Sequence, residues 1–395
     1  MAVSRKMADM VAGGSMIRKM FEAGSQLKAQ YGEDKVCDFS IGNPDVEPPA
    51  AFQRTLEEIV HARIPLKHGY MANAGYTETR AAVAAQVGKE QGVKVGGERV
   101  VMSCGAGGGL NAVLKAILNA GDKVIVPSPC FVEYGFYAGN HGGEVLFAKT
   151  KPDFDLDIAA VEALVTKDTA AVLINSPNNP TGRVYSEATV RELGRMLTEK
   201  SRKVGRNVYL VSDEPYRKIV YDGVVVPPIF PHYPHSIVVT SHSKDLSLPG
   251  ERIGSVAVNP EAEDAQLLTD AVILCTRILG VVNAPALMQR VVARLQGVTV
   301  DVEVYRKKRD LLHGALTEMG YRVYKPEGAF YLFPESFGAD EMPMVEALRK
   351  ERVLVVPGRG FAGPGHVRIA YCVDTAIIER SLPCFRRVAE RLRGG

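Results

Sequence analysis

The chain lacks the cysteine spacing that marks a disulfide framework or a zinc site. Its six cysteines, Cys37, Cys104, Cys130, Cys275, Cys372 and Cys384, are scattered, with no Cys-x-x-Cys pair and no histidine companion at metal spacing. Reduced thiols in a cytoplasmic protein without a metal are therefore expected. Net charge is nearly absent: 48 Lys+Arg against 45 Asp+Glu leave +3, too little to draw nucleic acid or a membrane surface as partner. No uninterrupted apolar run reaches the length of a membrane span. Arg5 and Lys6 stand near the start, but Met7 to Ser15 is too broken by Asp and Gly to form the core of a signal peptide. Internal repeats and low-complexity tracts are missing too. What is left is 395 residues, 46% hydrophobic and 24% charged, the balance of a soluble globular protein long enough for one large domain and a smaller companion.

Strand-like runs at 99–102, 123–126, 170–174, 207–211 and 236–240 recur between helix-like stretches from about residue 97 to 258. This alternation predicts an α/β fold with a mostly parallel sheet sandwiched by helices. The helical pieces include 109–119 and 187–200, the second opened by Ser186 as a candidate N-cap. From about residue 285 the pattern changes. A long helix-like region, 286–319, precedes strand candidates at 321–324, 329–332 and 367–370, which predicts a smaller α+β domain. The Pro-rich stretch Val226–Pro231 reads as a loop crossing the surface of the large domain.

Chemistry concentrates where the strands end. After the run 236–240 comes Ser241-His242-Ser243-Lys244, with Arg252 eight residues beyond the lysine. A lysine amine can bond covalently to an aldehyde, the hydroxyls of Ser241 and Ser243 can donate to phosphate, and an arginine fork can hold phosphate bidentately. The plain alternative is a solvated loop with surface charges. Gly105-Ala106-Gly107-Gly108-Gly109 follows a strand and opens a helix, so its N–H groups can bind a phosphate. It is not a dinucleotide fingerprint, because Leu110 stands at the third glycine position and no acidic residue closes the next strand. A purely structural glycine turn remains open. Asp213-Glu214-Pro215-Tyr216 ends another strand, bringing a carboxylate and a phenol that suit a pyridine nitrogen and its neighbouring oxygen. Asn175-Ser176-Pro177-Asn178-Asn179-Pro180-Thr181-Gly182 follows a strand as well and offers either a second donor to that oxygen or only a tight turn.

Taken in order, Ile41-Gly42-Asn43-Pro44-Asp45, His68-Gly69-Tyr70, Gly75-Tyr76, the Gly105 loop, Pro177–Gly182, Asp213–Tyr216, Ser243-Lys244, Pro326–Tyr331 and Val367-Arg368-Ile369 resemble the class I and II aminotransferases. These are pyridoxal-phosphate enzymes of fold type I, and the resemblance spans nearly the whole chain. It implies that Lys244 anchors pyridoxal 5'-phosphate covalently and later shuttles the substrate's proton, that Asp213 pairs with the pyridinium nitrogen, and that Asn179 and Tyr216 hold the ring oxygen. It implies that Gly105, Ala106, Gly107, Ser241, Ser243 and Arg252 form the phosphate cradle and that Phe131 covers the ring. Arg368, with Gly42 and Asn179, would grip the substrate carboxylate. Tyr70 would reach the phosphate of the partner subunit in a homodimer with shared active sites.

The activity so implied moves an amino group from an L-amino acid to a 2-oxo acid by a ping-pong route through pyridoxamine phosphate. A C–S β-lyase on the same fold and a non-catalytic ligand sensor are the alternatives. Three segments are expected: an N-terminal piece, 1–48, joining the small domain; a large cofactor domain, 49–285; and a small C-terminal domain, 286–395. Some dicarboxylate-specific members place a lysine where this chain has Gly107. Without it, aspartate has no grip by that route, although an arginine elsewhere or from the partner subunit could replace it. Aspartate, aromatic and aliphatic donors all stay open, and the glycine-rich loop with Phe131 is expected to leave room for an aromatic or aliphatic side chain.

Overall fold

Alternation along the buried strands decides the architecture. A computed structural model describes residues 3–13 and 16–393, so positions 1, 2, 14 and 15 of the expected N-terminal segment, and the last two residues, lie outside the described residues. Seven strands form the main sheet, in the order Val100–Ser103, Gly254–Val258, Ser236–Ser241, Tyr209–Asp213, Thr169–Asn175, Lys123–Ser128, Glu144–Lys149. Only Gly254–Val258 runs against the others. Thr169–Asn175 is buried at every position, as a strand covered on both faces must be. Its Val172 and Ile174 enter one hydrophobic cluster and its Ala171 and Leu173 another. Helices Thr77–Gln91, Ile158–Leu164, Glu187–Val204 and Ala286–Ala293 cover the first face, and Gly105–Ile117, Glu133–Gly139 and Ala265–Ile278 the second.

A third cluster surrounds the strands Val356–Pro357, Val367–Ala370 and Tyr331–Leu332, paired antiparallel in that order. Helices Val302–Glu318, Met342–Lys350 and Thr375–Arg393 pack there. The short strand Cys37–Asp38 pairs in parallel with Val353–Leu354, and Phe39 is buried in this same cluster.

Ser186 caps helix Glu187–Val204 as its sequence predicts, its Oγ accepting from the Thr189 N–H at 3.1 Å. Four local expectations change. The long helix at 286–319 is two helices, Ala286–Ala293 and Val302–Glu318. Gly297 turns with φ +85° between them, and Asp301 caps the second through the Glu303 N–H. Residues 321–324 form no strand, since Tyr321 is held instead by burial against Phe385 and a 2.8 Å bond from its hydroxyl to the Phe385 carbonyl. Helix Gly105–Ile117 starts at the first glycine of its loop and not at the last. The Pro-rich stretch is irregular, but Ile229 and Phe230 are core residues whose N–H groups donate to the buried Gln91. Among the described residues no helix is long and apolar enough to cross a membrane, and no group of three or more His, Cys, Asp or Glu is placed to hold a metal.

Candidate active site

The carboxyl ends of the parallel strands are where an open α/β sheet exposes backbone groups and gathers ligands. Ser103, Asn175, Asp213 and Ser241 are each the last residue of a strand, and they lie along this edge of the sheet. Above it opens a cavity of about 310 Å³. Lys244, Asp213, Tyr216, Asn179, Ser241, Ser243, Arg252, Phe131, Ala106, Gly107, Gly42 and Arg368 all line it.

Two sequence-predicted residues do not line it. Gly105 lies just behind the wall, with φ +67°, and a Cβ there would stand 2.7 Å from Arg252 Nη2. Only glycine allows the guanidinium that close. Tyr70 is 89% exposed and does not line this chain's own cavity.

Lys244 sits in a one-turn helix, His242–Asp245, that follows Ser241 directly, where its sequence suggested an open loop. Its Nζ donates to the Gly42 carbonyl at 2.7 Å and lies over the rings of Phe330 and Tyr216 at 5.3 and 5.9 Å. Burial lowers its pKa to about 8; Cys372 opposes the shift, and the nearby Arg368 and Arg252 add to it. Desolvation disfavours the ammonium, so the neutral, nucleophilic amine is available near physiological pH. In the cofactor-free protein, acylation of Lys244 followed by peptide mass spectrometry should therefore reach half its limiting rate near pH 8, and a midpoint near 10.5, the ordinary lysine value, would contradict this.

Asp213 is buried at the cavity floor. Burial raises its carboxyl to about 7; the hydrogen bond from Tyr134 opposes this and the charge of Glu214 adds to it. The Tyr134 hydroxyl donates to Oδ2 at 2.7 Å, while Oδ1 has no hydrogen-bond partner among the described residues. A buried acceptor left open in this way fits a cationic N–H donor brought in by a ligand. Asn179 is held through Asn175, whose Oδ1 accepts the Asn179 N–H at 2.7 Å and whose Nδ2 donates to the Asp213 carbonyl at 2.8 Å.

Arg368 is wholly buried, stacked over Tyr331 at 4.7 Å and Phe361 at 4.6 Å. Its Nη1 donates to Asn179 Oδ1 at 3.2 Å and its Nη2 to the Ser40 carbonyl at 2.7 Å, and Nε is left without a partner among the described residues. The Tyr216 hydroxyl pairs with that of Tyr331 at 2.8 Å.

Sequence reasoning missed Tyr134, Tyr137, Tyr331 and the supporting role of Asn175. Tyr331 closes the quoted segment Pro326–Tyr331, and Tyr134 stands three residues past Phe131, but neither position signals which side chain it meets. Tyr137 explains the glycine at 107: a Cβ there would come within 2.9 Å of its hydroxyl, so the tyrosine occupies the space a longer side chain would need.

A mostly parallel α/β sheet beside a smaller α+β unit, with a buried lysine, carboxylate and arginine converging at the strand ends, defines the fold-type I class of pyridoxal-phosphate-dependent enzymes. Residues 34–382 match the family model described as aminotransferase class I and II. The chain is 33% identical over 372 residues to the aspartate/prephenate aminotransferase of Thermus thermophilus, covering 93% of this chain and 94% of that one. An aminotransferase crystal structure from Eubacterium rectale superposes with a TM-score of 0.95 at 39% identity over 99% of both chains. The Thermus thermophilus aspartate aminotransferase with maleate gives 0.86 at 29% identity, covering 98% and 99%. The chain belongs to the class I and II aminotransferase family and is a transaminase. A C–S lyase is not favoured.

Proposed function

We propose that this cavity binds pyridoxal 5'-phosphate and transfers the amino group of an L-amino acid to a 2-oxo acid. The observation that carries the reading is the convergence of Lys244 Nζ, the open Oδ1 of Asp213 and Arg368, whose Nε has no partner among the described residues, in one cavity. The donor set fits the cofactor. Ser241, Ser243, Arg252 and the N–H groups of Ala106 and Gly107, at the start of helix Gly105–Ile117, would hold the phosphate, as a helix N-terminus favours. Asp213 would meet the ring nitrogen, Tyr216 and Asn179 the ring oxygen, and Phe131 the ring face. When bound, the cofactor supplies an electron sink for the carbanion left as the substrate Cα loses its proton.

The rest falls to the chain. Arg368 would bind the α-carboxylate through its guanidinium, with Asn179 beside it. This fixes the Cα–H bond relative to Lys244, and such positioning removes much of the entropy cost of the step. Lys244 Nζ, whose pKa burial lowers to about 8, would take the Cα proton and return it, a general base and acid in turn.

The wall facing the substrate side chain supports an apolar or aromatic donor. Besides Lys244, Arg252 and Arg368, no cation lines the cavity among the described residues, while Ile41, Phe131 and Tyr137 do. Homodimerisation is supported by an unpartnered apolar surface. Leu66 and Tyr70 are exposed just before Ala72 and Asn73, which bond with Asn283 and Val282, close to the exposed Leu279. Leu274 and Ile278 are exposed on the helix that ends there. Tyr70, free of its own cavity, is then available to the neighbour's. Six free cysteines agree with a cytoplasmic setting. We also propose the division 1–48, 49–285 and 286–395, with helix Ala286–Ala293 packed back on the large sheet.

Titration of the purified protein with single amino acids, followed by absorbance, tests the reading. Conversion of the aldehyde-form band to the amine-form band by apolar or aromatic donors, reversed by a 2-oxo acid, is expected. A clear preference for aspartate would overturn the side-chain assignment. Pyruvate and ammonia released from cysteine or cystathionine without any acceptor would overturn the reaction.

A further inference from the structure

The segments 212–218 and 240–245 each divide their side chains between two sides. Asp213, Tyr216, Ser241, Ser243 and Lys244 face the cofactor cavity. Glu214, Arg217, Lys218, Thr240, His242 and Asp245 line a separate small void of about 30 Å³ on the other side, with Pro215 shared between the two. The residues on this second side are joined by charge. Asp245, buried, accepts from Lys218 Nζ at 2.8 Å and faces His242 Nδ1 at 3.2 Å. Burial pushes the Asp245 carboxyl up, but the charges of His242 and Lys218 and their hydrogen bonds outweigh it and hold it at about 2. The group is therefore ionised at any working pH. Beside it Glu214 accepts from Ser212 and Arg217, both at 2.8 Å, and the Arg217 guanidinium reaches Glu90.

The helix that carries Lys244 is only four residues long. A single turn cannot sustain itself, because fixing its dihedrals costs more than its own hydrogen bonds return. It must be held by what packs on it. Its backbone is tied at His242, whose N–H donates to Ile253, and at Asp245, whose carbonyl accepts from Val300 at 2.7 Å. On the cavity side the tie is the bond from Lys244 Nζ to Gly42, which is lost whenever the amine does chemistry. The far-side tie, Asp245 with Lys218 and His242, persists, and it is the side-chain tie that adds to those backbone bonds.

We propose that Asp245 is a positioning residue for Lys244: clamped by Lys218 and His242 from beneath, it fixes the turn from which the reacting amine is aimed. This rests on Lys244 being the reacting amine. A displacement of about 1 Å at such a group is worth on the order of 100-fold in rate. In the holoenzyme, Asp245→Asn should therefore lower kcat by about 10- to 100-fold and leave KM for the amino donor within about threefold, since carboxylate binding is made elsewhere. Lys218→Met should lower kcat in the same way and Lys218→Arg should restore most of it.

A second measurement reads the clamp without turnover. In the cofactor-free protein, amide hydrogen exchange across 242–248 should quicken in Asp245→Asn while the strand Ser236–Ser241 stays protected. Should Asp245→Asn fail to fold, Lys218→Met carries both measurements. Unchanged kcat per folded holoenzyme would overturn the proposal, as would lost kcat with exchange across 242–248 unaltered. Absence of transamination in the parent enzyme would overturn the functional reading instead, and the exchange comparison would still decide whether Asp245 holds the turn.

Discussion

Lys244→Ala is expected to cut turnover by about 10⁴-fold or more, the upper end of what a positioned general acid–base contributes, because it also removes the covalent anchor. The amine is the group that reaches from the floor of the cavity to the substrate side, with a pKa lowered to about 8 so that its neutral form is available. The fold should tolerate the change. Among the described residues Lys244 makes one side-chain hydrogen bond, to the Gly42 carbonyl, worth about 1 kcal/mol net, and the space it leaves opens into an existing cavity. Bound cofactor should persist in part, because the phosphate cradle and Asp213 are untouched. Steady-state rates with the best donor, together with cofactor content per chain, check this. Near-normal turnover in the alanine variant would end the assignment of Lys244 and the aminotransferase mechanism built on it.

Asp213→Asn is the second large effect. Asparagine keeps the shape and can still accept from Tyr134, but it cannot supply the negative charge that holds a pyridine nitrogen protonated. Loss of one such preorganised partner in a buried site costs about 10²–10³ in kcat, with the donor's KM far less affected. The same variant has an opposite signature in the cofactor-free protein. Burial, opposed by the Tyr134 bond and helped by Glu214, raises the Asp213 pKa from 3.8 to about 7. A folded pKa above the unfolded one contributes stability in full below about pH 3.8 and loses it as pH rises through about 7. The parent protein without cofactor should thus lose this contribution between those values, and Asp213→Asn should not. Urea unfolding at several pH values checks the sign. An identical pH dependence in both proteins would remove the raised carboxyl from the account.

The legible part of the site is local. Asp213, Ser241, Ser243 and Lys244 could be found because apolar runs end in polar residues wherever a strand leaves the sheet, and the run 170–174 was legible as a strand because it is apolar throughout. The helix cap at Ser186 was legible for the same reason, since its bond spans three residues. Local pattern failed where distant packing overrides it. Tyr321–Tyr324 has strand composition but meets Phe385 in place of a neighbouring strand. Lys244 was read in an open loop because the clamp that winds it into a helical turn comes from Lys218 and from the N–H of Val300.

The sequence by itself determined the class of fold and marked Lys244, Asp213 and the Gly105 loop as groups able to do chemistry, because these follow from short-range periodicity and side-chain type, while Phe131 and Arg368 were reached only through the family resemblance. Only the tertiary structure decided what those groups meet. Lys244 meets Gly42 across 202 positions, Arg368 meets Ser40 across 328, and Tyr134 meets Asp213 across 79. Such contacts exist only once the sheet has brought its strand ends together, and desolvation, which moves Lys244 to about 8 and Asp213 to about 7, acts only where the folded chain has excluded water. The residue types supplied a lysine and a carboxylate; burial made one a base and left the other waiting for a cation.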